Sequence, residues 1–95
     1  MFNEVNLMRE AVEEINQDYA NWLLFEAWKE YRLADIFWDD EESEPTNERA
    51  YSTHDYAARK LYETWSRYTQ IKFECGYHEL HKFTEDDFAK FGLVW

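Results

Sequence analysis

The stretch Asn3–Trp38, NEVNLMREAVEEINQDYANWLLFEAWKEYRLADIFW, contains neither glycine nor proline, and its apolar residues decide the fold. Val5, Met8, Val12, Ile15, Tyr19 and Trp22 succeed one another in steps of three and four, the spacing of one helical face. Past Trp22 the stripe widens, and Leu23, Leu24, Phe25, Ala27, Trp28 and Tyr31 cover most of the circumference. A helix apolar nearly all round is either central to a core or shared with another chain. A single helix from 4 to 38 would run about 50 Å at 1.5 Å per residue. That length predicts a break near Asn16–Asp18, with Asn3 or Asn6 capping the first part and Asp18 the second.

The same scarcity of punctuation holds over the whole chain. Two glycines and one proline in 95 residues are too few for the turns of a β-sandwich or a βαβ fold. The one clear loop is Asp39-Asp40-Glu41-Glu42-Ser43-Glu44-Pro45-Thr46-Asn47-Glu48, where like charges repel and Pro45 ends any arriving helix. Ser52 or Thr53 is then placed to cap a second long helix, which turns Ala57, Leu61, Trp65, Tyr68 and Ile71 inward. Outside, Asp55, Arg59, Glu63 and Arg67 alternate in sign every four residues and support that helix. Gly76 suits the residue just past its end. Tyr77, Leu80 and Phe83 fit a short helix. Thr84 with Glu85, Asp86 and Asp87 after it reads as a capped start, with Phe88 and Phe91 inward and Gly92 at the end. The apolar tail Leu93-Val94-Trp95 should dock on the body. The expectation is a single all-α domain over 1–95: a compact small bundle of two long and one or two short helices around an aromatic-rich core.

Composition narrows the function. Hydrophobic residues make up 45% of the chain and aromatics 20%, enough to bury a core and leave rings part-exposed, where Tyr and Trp favour binding. Twenty-one acids against ten bases give a net charge of −11, which excludes holding nucleic acid by neutralising its phosphates. The single cysteine forbids an internal disulfide and fits a reducing compartment. No apolar run approaches a membrane span, and no basic-then-apolar leader opens the chain, so a cytoplasmic protein is expected.

The charge is unevenly placed. Residues 1–48 hold 14 acids and three bases (Arg9, Lys29, Arg32), the entire imbalance, while residues 49–95 hold seven of each. Glu10, Glu14 and Asp18 stand at i, i+4 and i+8 with Glu13 beside them, opposite the Val5–Trp22 stripe. On one helix, carboxylates four residues apart lie about 6 Å apart along the axis, similar to phosphates along one nucleic-acid strand. Like charges at that spacing destabilise a helix. Asp35, Asp39 and Glu42 continue the pattern, and Asp40 and Glu41 add to it. Solubility alone would not confine charge to one half, nor set it beside the aromatic segment Trp22–Trp38. Glu26 and Glu30 fall near the apolar stripe, and with a break near residue 17 both should face water near Lys29 and Arg32.

No motif carries chemistry. Cys75, His78 and His81 crowd three candidate ligands into seven residues, with Glu79 and His54 as possible additions, but zinc sites combine separated ligand pairs and no second Cys pair exists here. His78-Glu79-Leu80-His81 lacks the four-residue histidine spacing of a zincin. His78 lies near Cys75 in sequence, but the C-terminal end of a helix is the wrong pole of the dipole to activate a nucleophilic thiol. Glu10-x-x-Glu13 is a fragment of a Mg²⁺-holding helical pattern whose later Glu-x-x-Asp partner is missing. No metal, no cofactor and no enzymatic activity are expected.

What remains is a binding protein that occupies the basic surface of a nucleic-acid-handling protein. Glu10, Glu13, Glu14, Asp18, Asp35, Asp39, Asp40, Glu41 and Glu42 stand in for phosphates, and Trp22, Trp28, Tyr31 and Trp38 serve as anchors. In charge and size alone the chain resembles the small acidic DNA-mimic inhibitors of phages and mobile elements, anti-restriction and anti-CRISPR proteins among them. Acidic immunity proteins of nuclease toxins use the same physics. The alternative is a structural or adaptor homo-oligomer, a homodimer for instance, with segment 19–38 as its interface.

Overall fold

The computed structural model describes residues 15–38 and 45–95, and the protein is all-α. The sequence order is α1 (Gln17–Trp38), α2 (Pro45–Thr69), a 3-10 helix (Gly76–Lys82) and α3 (Glu85–Ala89). Glu10, Glu13, Glu14, Asp39, Asp40, Glu41 and Glu42, expected among the partner-binding carboxylates, lie outside the described residues.

α1 starts where the second part of the first helix was expected to start, but its cap is Asn16 and not Asp18, and the expected first part, with its cap at Asn3 or Asn6, lies outside the described residues. The Asn16 Oδ1 accepts the Tyr19 N–H at 3.2 Å, and the Asn16 carbonyl accepts the Ala20 N–H at 2.9 Å. Asp18 sits in the first turn, where its charge complements the exposed N–H groups of the helix start. Ile15 and Asn16 are not helical, so of the row Glu10, Glu14, Asp18 only Asp18 belongs to α1 as described.

α2 opens at Pro45, within the stretch expected to be loop. A proline is favoured at the first helical position because the N–H it lacks would have no partner there. Ser52 and Thr53 therefore lie exposed within the helix and cap nothing. The helix also stops earlier than Gly76. Gln70 takes a left-handed φ of 61°, the Ser66 hydroxyl donates to the Ile71 carbonyl at 2.7 Å, and the Thr69 hydroxyl donates to the Trp65 carbonyl at 2.7 Å. Two buried side-chain hydroxyls thus end the helix without glycine. Gly76 instead opens the 3-10 helix at φ 66°.

α1 and α2 run antiparallel. The start of α1 meets the end of α2 where Tyr19 packs edge-on against Tyr68, and the end of α1 meets the start of α2 where Trp38 packs on Tyr51. Between them the seam is small against large: Ala20, Leu23 and Ala27 face Ala58, Tyr62 and Trp65, with Tyr77 and Leu80 closing the cluster. Alanines let the backbones approach, and the rings of α2 fill the remaining space. The buried line of α2 is Ala58, Tyr62, Trp65 and Thr69, one residue round from the expected stripe. Ala57, Leu61 and Tyr68 flank it, and Ile71 is half-exposed beyond the helix end. Tyr62 can point inward because its hydroxyl accepts the Phe73 N–H at 3.1 Å.

The opposite side of α1 is covered by the C-terminal segment. Phe25 and Trp28 pack with Phe88, flanked by Leu24, Phe83 and Leu93. α3 begins as expected at Thr84, whose N–H donates to the Asp87 carboxylate at 2.8 Å. That bond holds the Asp87 carboxyl below its usual pKa. Gly92, at φ 76°, turns the chain so that the Leu93 N–H reaches back to the Phe88 carbonyl, and Trp95 packs edge-on against Trp28. Phe91, expected inside, is turned to solvent. α1 is thus apolar nearly all round because its own chain covers it from two sides.

Candidate protein-binding surface

Tyr31, Asp35 and Trp38 fall at i, i+4 and i+7 and share one stripe at the C-terminal end of α1. Tyr51 and Asp55 fall at i and i+4 near the start of α2. Antiparallel packing sets the two stripes side by side, and the 3-10 helix supplies Tyr77 and His78 as a floor. With Ala34 these residues line an open cleft of about 190 Å³. Trp38 is two-thirds exposed at its rim, its ring 5.0 Å from that of Tyr51, and Tyr31 meets Tyr77 edge-on at 5.9 Å.

One wall is internally satisfied. The Tyr77 hydroxyl donates to Asp55 at 2.7 Å, Arg59 Nε donates to the same carboxylate at 3.0 Å, and Arg59 Nη2 donates to the Tyr77 hydroxyl at 2.9 Å. The Arg59 guanidinium also lies over the Tyr77 ring, 4.4 Å from its centroid. On the other wall, Asp35 is exposed and pairs with no cation among the described residues. Arg32, three residues away, lies over the Trp28 ring instead. The cleft is electronegative. Burial first, then Asp35 and Asp55, raise the Tyr31 phenol, and burial with the Asp55 hydrogen bond pushes Tyr77 up to about 12.

The structure divides the expected anchors. Tyr31 and Trp38 join the cleft with Asp35. Trp28 does not: it is 1% exposed, and its indole N–H donates to the Phe83 carbonyl at 3.1 Å, so it is a core residue and no anchor. Trp22 is half-exposed and stacked on Tyr19, about 24 Å along α1 from Trp38 at 1.5 Å per residue. Asp18 is exposed beside that N-terminal patch. Glu26 pairs with Lys29 at 2.8 Å as expected, but Glu30 pairs across the helices with His54, which stacks on Phe37, and not with Arg32.

Sequence spacing missed Tyr51, Asp55 and Tyr77 as members of this surface. One signal was available: Tyr31-x3-Asp35 and Tyr51-x3-Asp55 are twin motifs on the two long helices. Among the described residues no group of three or more His, Cys, Asp or Glu is placed to hold a metal ion. His81 turns its ring nitrogen to the His78 carbonyl, and Cys75 is exposed. None of the described helices is long and apolar enough to cross a membrane. The chain matches no family model, no curated protein and no solved structure.

Proposed function

We propose that this protein binds the basic surface of a nucleic-acid-handling protein, a nuclease or restriction or CRISPR effector, and blocks it by occupancy and not by turnover. The observation that carries this reading is the confinement of all the net negative charge to residues 1–48, beside exposed aromatics at Trp22 and Trp38. Concentrated charge steers a cationic partner into encounter, and exposed rings supply contact area on arrival. Such an inhibitor would act in the cytoplasm, the host's if a phage encodes it. Acidic groups gathered this way suit mimicry of a phosphate backbone, whether the role is counter-defence or immunity to a toxin.

Self-association has less surface to work with. Of segment 19–38, Leu23, Phe25, Ala27, Trp28 and Ala34 are buried within the chain itself, which leaves Tyr19, Trp22, Ile36 and Trp38 as large exposed groups. Competition decides the matter. The protein is titrated into nuclease–DNA complexes at rising salt, and light scattering fixes its own mass. Displacement of DNA at low salt that fades between about 50 and 500 mM is expected, as screening lengths shrink. Reversing Glu10, Glu14 and Asp18 together to lysine should weaken it, with the helical circular dichroism retained. Salt-independent displacement, or a stable dimer that displaces nothing, overturns the reading.

A further inference from the structure

The cleft between α1 and α2 has one half already filled by the protein's own cation. Arg59 lies over Tyr77 and bonds Asp55, so that carboxylate and that ring are taken. The other half repeats the same parts without a cation: Asp35 exposed, Tyr31 on the same helical stripe, Trp38 at the rim and Tyr51 across from it. At about 190 Å³ the space falls below the ~300–1,000 Å³ of small-molecule sites and suits the tip of one side chain. The wider recess beside Ser66 and Phe73, about 430 Å³, is lined by Glu63 and Glu74 against Arg67 and Lys72, so its charges cancel and it selects no sign.

We propose that this cleft receives an arginine side chain of the bound protein, its guanidinium paired with Asp35 and laid against the Trp38 and Tyr51 rings. Ring faces carry negative potential and attract a cation placed over them. A guanidinium fits better than an ammonium because it is planar, stacks on rings, is weakly hydrated and offers a fork of donors to a carboxylate. Arg59 on Tyr77 and Asp55 displays that geometry within the same molecule. The inference rests on the partner being basic, and it names the residue type read at this end of the surface.

The test uses the full chain, ¹⁵N-labelled, with nona-arginine and nona-lysine peptides as probes at low salt, monitored by calorimetry and by the tryptophan indole signals. Both peptides should bind, the arginine peptide about fivefold more tightly, and only it should move the Trp38 indole signal. Asp35→Asn and Trp38→Ala change exposed side chains and should leave the melting temperature in place. Each should erase the arginine preference while leaving lysine-peptide affinity within about twofold. Equal affinities in the parent protein, or an arginine preference that survives both substitutions, overturn the cleft while the basic-surface reading stands. Failure of both peptides to bind removes that reading, and the cleft with it.

Discussion

Trp28 and Trp38 lie ten residues apart on the same helix and face opposite fates. Trp28 is sealed by Phe88, Phe83 and Trp95, and its indole N–H is bonded to the Phe83 carbonyl. Trp38 is 67% exposed, with Tyr51 against it and acidic sequence on both sides. An aromatic-rich helix of this kind is a core element along one part of its length and a presenting surface at another. What separates them is which segment of chain returns to cover each. The contrast has a direct measure. Trp28→Ala should cost about 3–5 kcal/mol, since it opens a large cavity and orphans the Phe83 carbonyl. Trp38→Ala should stay within about 0.5 kcal/mol, as exposed substitutions do. Urea denaturation of the two variants checks this, and equal losses would mean that the two positions are alike in burial.

A second measurement sharpens what the open end stands on. The Tyr77 phenol is pushed up to about 12 from an ordinary value of 10 by burial and by its bond to Asp55. The folded state therefore holds this proton more tightly than the unfolded chain. Its contribution is present in full below pH 10 and is lost as pH rises from 10 to about 12, on the order of 2 kcal/mol over that window. Tyr77→Phe should lose about 1 kcal/mol at neutral pH, for the missing hydrogen bonds. Above pH 10 its stability should fall less steeply than that of the parent protein. Parallel stability curves through that range would show that the hydroxyl ionises without regard to folding.

Much of the fold was legible because two long helices are written in apolar period and in the lack of glycine and proline. The errors cluster where one residue type serves two purposes. Pro45 suits the end of one helix and the first turn of another equally well, and here it opens α2 inside the stretch that charge repulsion marks as loop. Leu61 looks like core beside Tyr62, yet the tyrosine goes inward because Phe73 supplies a partner for its hydroxyl. Gly76 has the character of a helix stop, but Ser66 and Thr69 terminate α2 earlier through hydroxyl bonds that no periodicity reveals. The candidate surface was half visible for the same reason. Tyr31, Asp35 and Trp38 share a helical stripe, whereas Tyr51, Asp55 and Tyr77 reach them only through tertiary packing.

The smallest expected effect concerns the other end of α1, where cap and charge can be told apart. Asn16 bonds the Tyr19 N–H directly, so Asn16→Ala should cost about 1 kcal/mol, while Asn16→Asp, which keeps an acceptor, should cost little. Asp18 makes no such bond among the described residues and acts there through the field of the helix start, so Asp18→Ala should cost a few tenths of a kcal/mol, fading with added salt. Denaturation at low and high salt separates the two. A larger, salt-insensitive loss at Asp18 would move the cap two residues on, to the position that the sequence pattern favours. The distinction bears on function as well as folding. A carboxylate that helps start its own helix has a local reason to be negative, whereas Asp35, with no cation beside it among the described residues and no helix start to serve, does not. Of the two, Asp35 is therefore the charge whose loss should be felt by a partner and not by the fold.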